Sequence, residues 1–216
     1  MPVPARLAAI ALAALVTVAV VGCAASGPHP ATTAIGTPAA GFAPLSAPSP
    51  EATVNPISGS WDGVRPSPGY RIVLLSGGDD PTSAALSDAV HAWADEVDAD
   101  LRTVSAEDDA IGGIVEAMDL EPELIVSVDD GLIDALAMVT PNHLEVPFLI
   151  LGAELAEPTY NVTAVDWTGA GFRGEGLGTA THFDAESFTP ERCADAIRAG
   201  TTAVLTGMTG VVLWID

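Results

Sequence analysis

Acidic side chains and one indole stand directly after apolar runs of the sequence, where strands are expected to end. Asp79 and Asp80 follow one run, Asp129 follows another, and Asp166 and Trp167 follow a third. Carboxylates accept hydrogen bonds from the hydroxyl groups of a sugar-like ligand or hold a cation, and an indole offers a stacking face. These five residues are the candidate ligand-binding residues. The alternative for each is structural, because Asp, Gly and Ser also cap helices and form turns.

Signatures of catalysis and of cofactor binding are weak in this sequence. The Gly77-Gly78 turn has neither the GxGxxG nor the GxxxxGK[ST] spacing of a phosphate-binding loop, and no GxSxG nucleophile elbow occurs. The histidines are scattered, and none has a second histidine or a cysteine at metal-ligand spacing. We therefore expect a protein that is not an enzyme and uses no cofactor or metal. An exported hydrolase of unrecognised type is the alternative.

The charge composition excludes some classes of partner. The chain of 216 residues has 29 acidic and seven basic side chains, all seven of them arginine, and a formal net charge of -22. Binding to nucleic acid requires basic groups that neutralise phosphates, and electrostatic adhesion to anionic lipid requires a basic cluster. We therefore expect no nucleic-acid partner and no membrane attachment through surface charge.

The first 22 residues have the pattern of a secretory signal peptide. Arg6 supplies a positive charge, residues 7–21 carry none, and Val20-Val21-Gly22-Cys23 closes the run. The apolar run is shorter than the ~20 residues of a membrane-spanning helix. Its closing motif resembles the bacterial lipobox, which implies removal of residues 1–22, a lipid on Cys23 and an extracytoplasmic protein anchored to the cell membrane. An ordinary signal peptide with a coincidental cysteine is the alternative.

Residues 23–69 are predicted to comprise the lipidated cysteine and a flexible linker. The stretch is dense in Pro, Ala, Ser, Thr and Gly and lacks hydrophobic periodicity, so it cannot bury enough apolar surface to offset its ordering entropy. Residues 57–64, which contain Trp61, either pack on the following domain or belong to the linker, and the sequence leaves both open. With Cys23 acylated, Cys193 has no partner for an intrachain disulfide, and its helical context indicates a core residue.

Residues 70–216 are predicted to form one α/β domain. Apolar runs that read as strands alternate with segments of helical periodicity. This alternation predicts a doubly wound, mostly parallel sheet with helices on both faces. Ligands of such sheets bind at the carboxyl ends of the strands, where the five candidate residues stand. The predicted strands are 71–76, 101–104, 124–128, 148–151, 161–165 and 211–215, and the predicted helices are 81–97, 108–120, 132–139 and 189–199, with a continuation of the last helix to residue 205 left open.

Several segments of this domain resemble the basic membrane protein family of solute-binding lipoproteins. They are the segments 122–136, 146–151 and 161–166, the turn at 77–80 and the glycine-rich run at 172–178. The resemblance covers about residues 70–180 and implies one lobe of a type 1 periplasmic-binding-protein fold. It also implies a nucleoside or sugar-like ligand and an ABC permease as partner.

The chain departs from this family in two respects. Members of the family clamp the ligand between two lobes, whereas this sequence has room for one. Thr82-Ser83-Ala84 stands where the family has Ser-Phe-Asn, so the aromatic residue that would stack on a base is missing. The leading hypothesis is therefore a membrane-anchored lipoprotein similar to the solute-binding proteins of ABC transporters. The alternative is an envelope scaffold or regulatory lipoprotein that binds another envelope protein and has lost its ligand.

Overall fold

The computed structural model describes residues 32–128, 130–171 and 183–216. From β4 to β7, strands and helices alternate along the chain. The strands are β1 (Ala34–Ile35), β2 (Thr53–Val54), β3 (Arg65–Pro66), β4 (Arg71–Ser76), β5 (Asp100–Ser105), β6 (Leu124–Val128), β7 (Phe148–Leu151), β8 (Val162–Asp166) and β9 (Val212–Trp214). The helices are α1 (Pro81–Val97), α2 (Ala110–Asp119), α3 (Ile133–Val139) and α4 (Pro190–Leu205), with short 3-10 turns at Thr140–Asn142 and Ala185–Ser187.

The main sheet has seven strands in the order β2-β9-β8-β7-β6-β4-β5. Every pairing within it is parallel. The strand order reverses at β4, because α1 leads to β5 on one side and α2 crosses back to β6 on the other. This is the doubly wound arrangement, and the predicted fold class is confirmed.

Different helices cover the two faces of the sheet. Helices α1 and α4 pack together over Leu74 and Leu149 on one face, and α2 and α3 lie over Leu75 and Ile150 on the other. Strands β6, β7 and β8 are buried along their whole length, which explains their continuous apolar runs. Strand β5 lies at the edge of the sheet, and most of its side chains are exposed, so its sequence is largely polar.

Residues 32–69 belong to the domain, which differs from the prediction of a flexible linker ending at residue 69. Strand β2 extends the main sheet beside β9, and β1 pairs with β3. Phe42 and Trp61 are 1% and 2% exposed and lie in the core on the α1 and α4 face. For residues 57–64 the structure therefore shows packing rather than linker. The segment is held by isolated large side chains and backbone pairing, which leave no periodic pattern in the sequence.

Candidate binding edge at the carboxyl ends of the strands

The loops that follow β4, β6, β7 and β8 form the sheet edge where ligands of doubly wound folds bind. At the reversal point the loops after β4 and β6 touch each other. A Cβ atom placed on Gly77 would lie 2.9 Å from Leu132 Cγ and 3.4 Å from the Gly131 backbone. A side chain at position 77 would have to displace Leu132, so glycine here allows residues 131 and 132 to pack closely against this turn.

Asp80, one of the candidate residues, is the N-cap of α1. Its Oδ1 accepts hydrogen bonds from the backbone N–H groups of Thr82 and Ser83 at 2.9 and 3.1 Å. The Thr82 and Ser83 hydroxyls donate to Oδ1 and Oδ2 at 2.6 and 2.7 Å. Partial burial raises the pKa of Asp80, but these hydrogen bonds outweigh burial and lower the pKa to about 2. Its neighbour Asp79 is exposed.

Replacing Asp80 with alanine should lower the free energy of unfolding by about 1 kcal/mol, as expected for loss of an N-cap. Because the folded pKa lies below the ordinary value of 3.8, the ionised cap stabilises the fold above about pH 4, and this contribution is lost as the pH falls toward 2. Urea unfolding of wild type and variant should therefore converge in acid. Asp79→Ala is the matched control, with an expected change within about 0.5 kcal/mol. Equal losses in the two variants would contradict the capping role.

Asp166 and Trp167, at the end of β8, are both fully buried. Asp166 Oδ1 accepts a hydrogen bond from the Trp167 backbone N–H at 2.8 Å. The Trp167 Nε1–H donates to Ser187 Oγ at 3.0 Å, and its ring meets Phe188 edge-on, 5.0 Å between centroids. The prediction that Trp167 offers an open stacking face is wrong. Side chains alternate between faces along a strand, and Trp167 shares the α1 and α4 face with Val165.

Two further buried polar side chains lie near this edge, and they stand at strand ends in the sequence but were not among the five candidate residues. Ser127 in β6 and Glu154 after β7 are both 0% exposed. Ser127 Oγ makes no hydrogen bond in the described part of the structure. With Asp166, these residues place polar groups at the ends of three neighbouring strands. The signal that could have found Ser127 is its polarity within an otherwise apolar strand.

Among the described residues, the exposed charged side chains of the same edge are acidic. Such a surface attracts cations and neutral hydrogen-bond donors and repels anions. The candidate residue Asp129 lies outside the described residues. The exposed acids of this edge include Asp79, Asp80, Asp130, Asp134, Asp184 and Glu186.

A glycine pattern after β8 was not among the predicted site residues. Gly169, Gly171 and Gly174 have the GxGxxG spacing, and the residues from 172 to 182 lie outside the described ranges. Gly169 adopts a φ of +99°, and a Cβ atom on it would lie 2.8 Å from Ser187 Oγ. The positive φ and this close packing explain why residue 169 is glycine, and no phosphate-binding role is needed to explain it.

Clefts are also present on the α1 and α4 face. One of about 400 Å³ is lined by Trp61, Trp93 and the segment 62–65, and a second of about 380 Å³ runs between α1 and α4. Both clefts are lined by Arg198 and Glu96. These two residues form an ion pair with 2.7 Å between Nη2 and Oε2. In the described ranges, no group of three or more His, Cys, Asp or Glu residues is arranged to hold a metal ion.

Comparison with known proteins places the chain beside solved structures at low similarity. No family model matches the sequence, and no curated protein matches it. A solute-binding protein of an ABC transporter system from Aeropyrum pernix K1 aligns with 18% identity and a TM-score of 0.40, over 45% of this chain and 28% of that one. A transcriptional activator of the comK gene from Bacillus halodurans aligns with 11% identity and a TM-score of 0.39, over 68% and 53%.

Sugar-binding components of ABC transporters are also among the structural neighbours. The arabinose-binding periplasmic protein from Shewanella sp. ANA-3 aligns with 13% identity and a TM-score of 0.33, over 67% of this chain and 54% of that one. The chain thus spans between about a quarter and just over half of the length of these neighbours. No helix among the described residues is long and apolar enough to span a bilayer.

Proposed function

We propose that this protein is an extracytoplasmic lipoprotein, anchored through a lipid on Cys23, whose single α/β lobe binds a small solute and is not an enzyme. The anchoring part is supported by the charged start, the apolar run and the Val20-Val21-Gly22-Cys23 motif. The binding part is supported by the doubly wound sheet, whose carboxyl edge is the usual ligand edge of such folds.

The observation that carries the binding proposal is the set of buried polar residues Ser127, Glu154 and Asp166 at the ends of adjacent strands. Burying a carboxylate or a hydroxyl lowers stability unless the group is satisfied. Each of the three is enclosed directly beneath the edge where ligands of doubly wound folds bind. Ser127 Oγ makes no hydrogen bond among the described residues, and a buried hydroxyl without a partner is a group that a bound solute would satisfy.

The acidity of this edge favours a particular class of ligand. A neutral, hydroxyl-rich solute such as a nucleoside or a sugar donates hydrogen bonds to carboxylates, whereas a phosphorylated solute is repelled by them. One lobe buries less of a ligand than the 70–90% typical of closed sites, so we expect a Kd no tighter than about micromolar. An ABC permease or another envelope protein would be the partner that uses the bound solute.

A second candidate function is an envelope scaffold or regulatory lipoprotein without a ligand. Three observations favour it. Asp80 is used as a helix cap, Trp167 is buried, and Leu132 fills the space beside Gly77. In this case the domain would bind another envelope protein, and the buried polar groups would be purely structural.

The anchoring part is tested by metabolic labelling with a fatty-acid analogue. Wild type and Cys193→Ala should incorporate the label, and Cys23→Ala should not. Incorporation by Cys23→Ala, or none by wild type, would overturn the proposed anchor.

The binding part is tested by calorimetric titration of the detergent-solubilised chain with nucleosides, pentoses and their phosphate esters. We expect binding of an unphosphorylated solute and weaker or no binding of its ester. Ser127→Ala and Asp79→Asn should weaken binding, and Asp95→Asn, an exposed control on α1, should not. Thermal unfolding checks that each variant is folded. A folded wild type that binds no solute at millimolar concentration would favour the scaffold.

A further inference from the structure

The N-terminal end of the described chain is fixed where the parallel strands begin, which we call the amino edge of the sheet. It lies opposite the carboxyl edge, where the strands end and the candidate binding residues stand. Thr32 donates hydrogen bonds from its backbone N–H and its hydroxyl to the two Glu123 carboxylate oxygens, both at 2.9 Å. Glu123 directly precedes β6, and its Oε2 also accepts from the backbone N–H of Arg71 at 3.3 Å. Burial raises the pKa of Glu123, but the bonds from Thr32 and the charge and N–H of Arg71 outweigh it and lower the pKa.

The length of chain between the proposed lipid and this point is short compared with the domain. Nine Cα–Cα steps separate Cys23 from Thr32, and such a chain spans at most about 30–32 Å. A domain of this size has a radius of gyration of about 16 Å and hence a diameter of about 40 Å. If the carboxyl edge lay on the bilayer, Thr32 would be about 40 Å above the lipid, beyond the reach of the chain.

We infer that the carboxyl edge of the sheet is kept off the bilayer and lies, on average, farther from it than the amino edge. This inference rests on the lipid anchor of the proposed function and specifies how its binding edge is presented. The surface at the amino edge includes Glu121, Glu123 and Glu145, and these acids are repelled by anionic lipid. The short chain, not adhesion, therefore keeps this edge near the membrane.

The orientation restricts which partner can act at the carboxyl edge. A solute in the extracytoplasmic space reaches this edge without obstruction from the membrane. The short chain does not let the carboxyl edge turn flat onto the membrane surface. A protein partner that covers this edge must therefore project from the bilayer.

Energy transfer from single-site labels to a headgroup acceptor tests this orientation on the full lipidated chain in vesicles. Glu145→Cys carries a donor at the amino edge, and Asp79→Cys carries one at the carboxyl edge. The native Cys193 thiol stays unlabelled, because it is fully buried and burial raises its pKa to about 11. We expect transfer from position 145 to exceed that from position 79, since orientations with the carboxyl edge on the bilayer are out of reach of the chain.

A lengthened chain is the matched control. A flexible Gly/Ser insert of about 40 residues directly before Thr32 should equalise the two labels, because it frees the domain to rotate. Mass spectrometry of the N-terminal peptide reports the lipid on Cys23 independently. Lipidated protein with equal transfer from both positions, without the insert, would overturn the orientation and leave the proposed anchor intact. Absence of the lipid would overturn both.

Discussion

Replacing Trp61 with alanine should lower the free energy of unfolding by about 3–5 kcal/mol, the range for removing a large buried aromatic side chain. The indole is 2% exposed and packs in the same core as Phe42. Thr202 of α4 also donates a hydrogen bond to the Trp61 carbonyl oxygen at 3.4 Å. Trp61 thus ties the segment before β4 to the helix layer of the domain. Urea unfolding of the variant and the wild type measures the loss.

Ile57 provides the control for this prediction within the same segment. Its side chain is 64% exposed, so Ile57→Ala should change stability by no more than about 0.5 kcal/mol. Limited proteolysis adds a second readout. The wild type should resist cleavage between residues 32 and 69, whereas Trp61→Ala should be cut there. A stable fragment of wild type starting near Tyr70 would show that the segment is a linker after all.

The sequence predicted the central elements of the fold well, because their patterns are local. Strands β4 and β6 and helix α1 have the predicted bounds, since continuous apolar runs and helical spacing extend over their full length. Residues 32–69 were mispredicted because contacts distant in sequence hold them. The backbone N–H of Glu51, for example, donates to the Gly210 carbonyl at 2.8 Å. Such a backbone contact does not depend on residue type, so the composition of the segment does not predict it.

The candidate site was harder to predict than the fold, because one residue type serves several purposes. Asp80 has the sequence of a cap, Asp-Pro-Thr-Ser, and the structure uses it as one. Trp167 follows the acidic Asp166 at the end of a predicted strand, a position that suggests exposure to a ligand. Side chains alternate between the two faces of the sheet, however, and this alternation places Trp167 in the core. The buried Glu154 lies in a loop after β7, where neither periodicity nor spacing shows which side chains are covered.

Replacing Gly200 with alanine should destabilise the protein by about 1–3 kcal/mol, the range for overpacking a core. In an unhindered helix the same change would stabilise by about 1 kcal/mol. Here a Cβ atom would lie 2.5 Å from Leu149 Cδ1 and 2.9 Å from Val165 Cγ2. Val165 is stiff because it is branched at Cβ, and Leu149 is fully buried, so neither yields easily.

Leu149 is the residue through which this clash is tested. Leu149→Ala alone should lower stability by about 2–5 kcal/mol. Because it also removes the Cδ atoms that crowd position 200, the double variant should be more stable than the two single losses predict, by about 0.5–3 kcal/mol. Ile150→Ala is the matched control, because Ile150 faces α2 and α3 on the other side of the sheet. The losses in free energy of unfolding from Ile150→Ala and Gly200→Ala should therefore be additive. If the losses in free energy of unfolding from Gly200→Ala and Leu149→Ala were also additive, α4 would not contact β7 at Gly200. This result would contradict the close packing of α4 on the sheet.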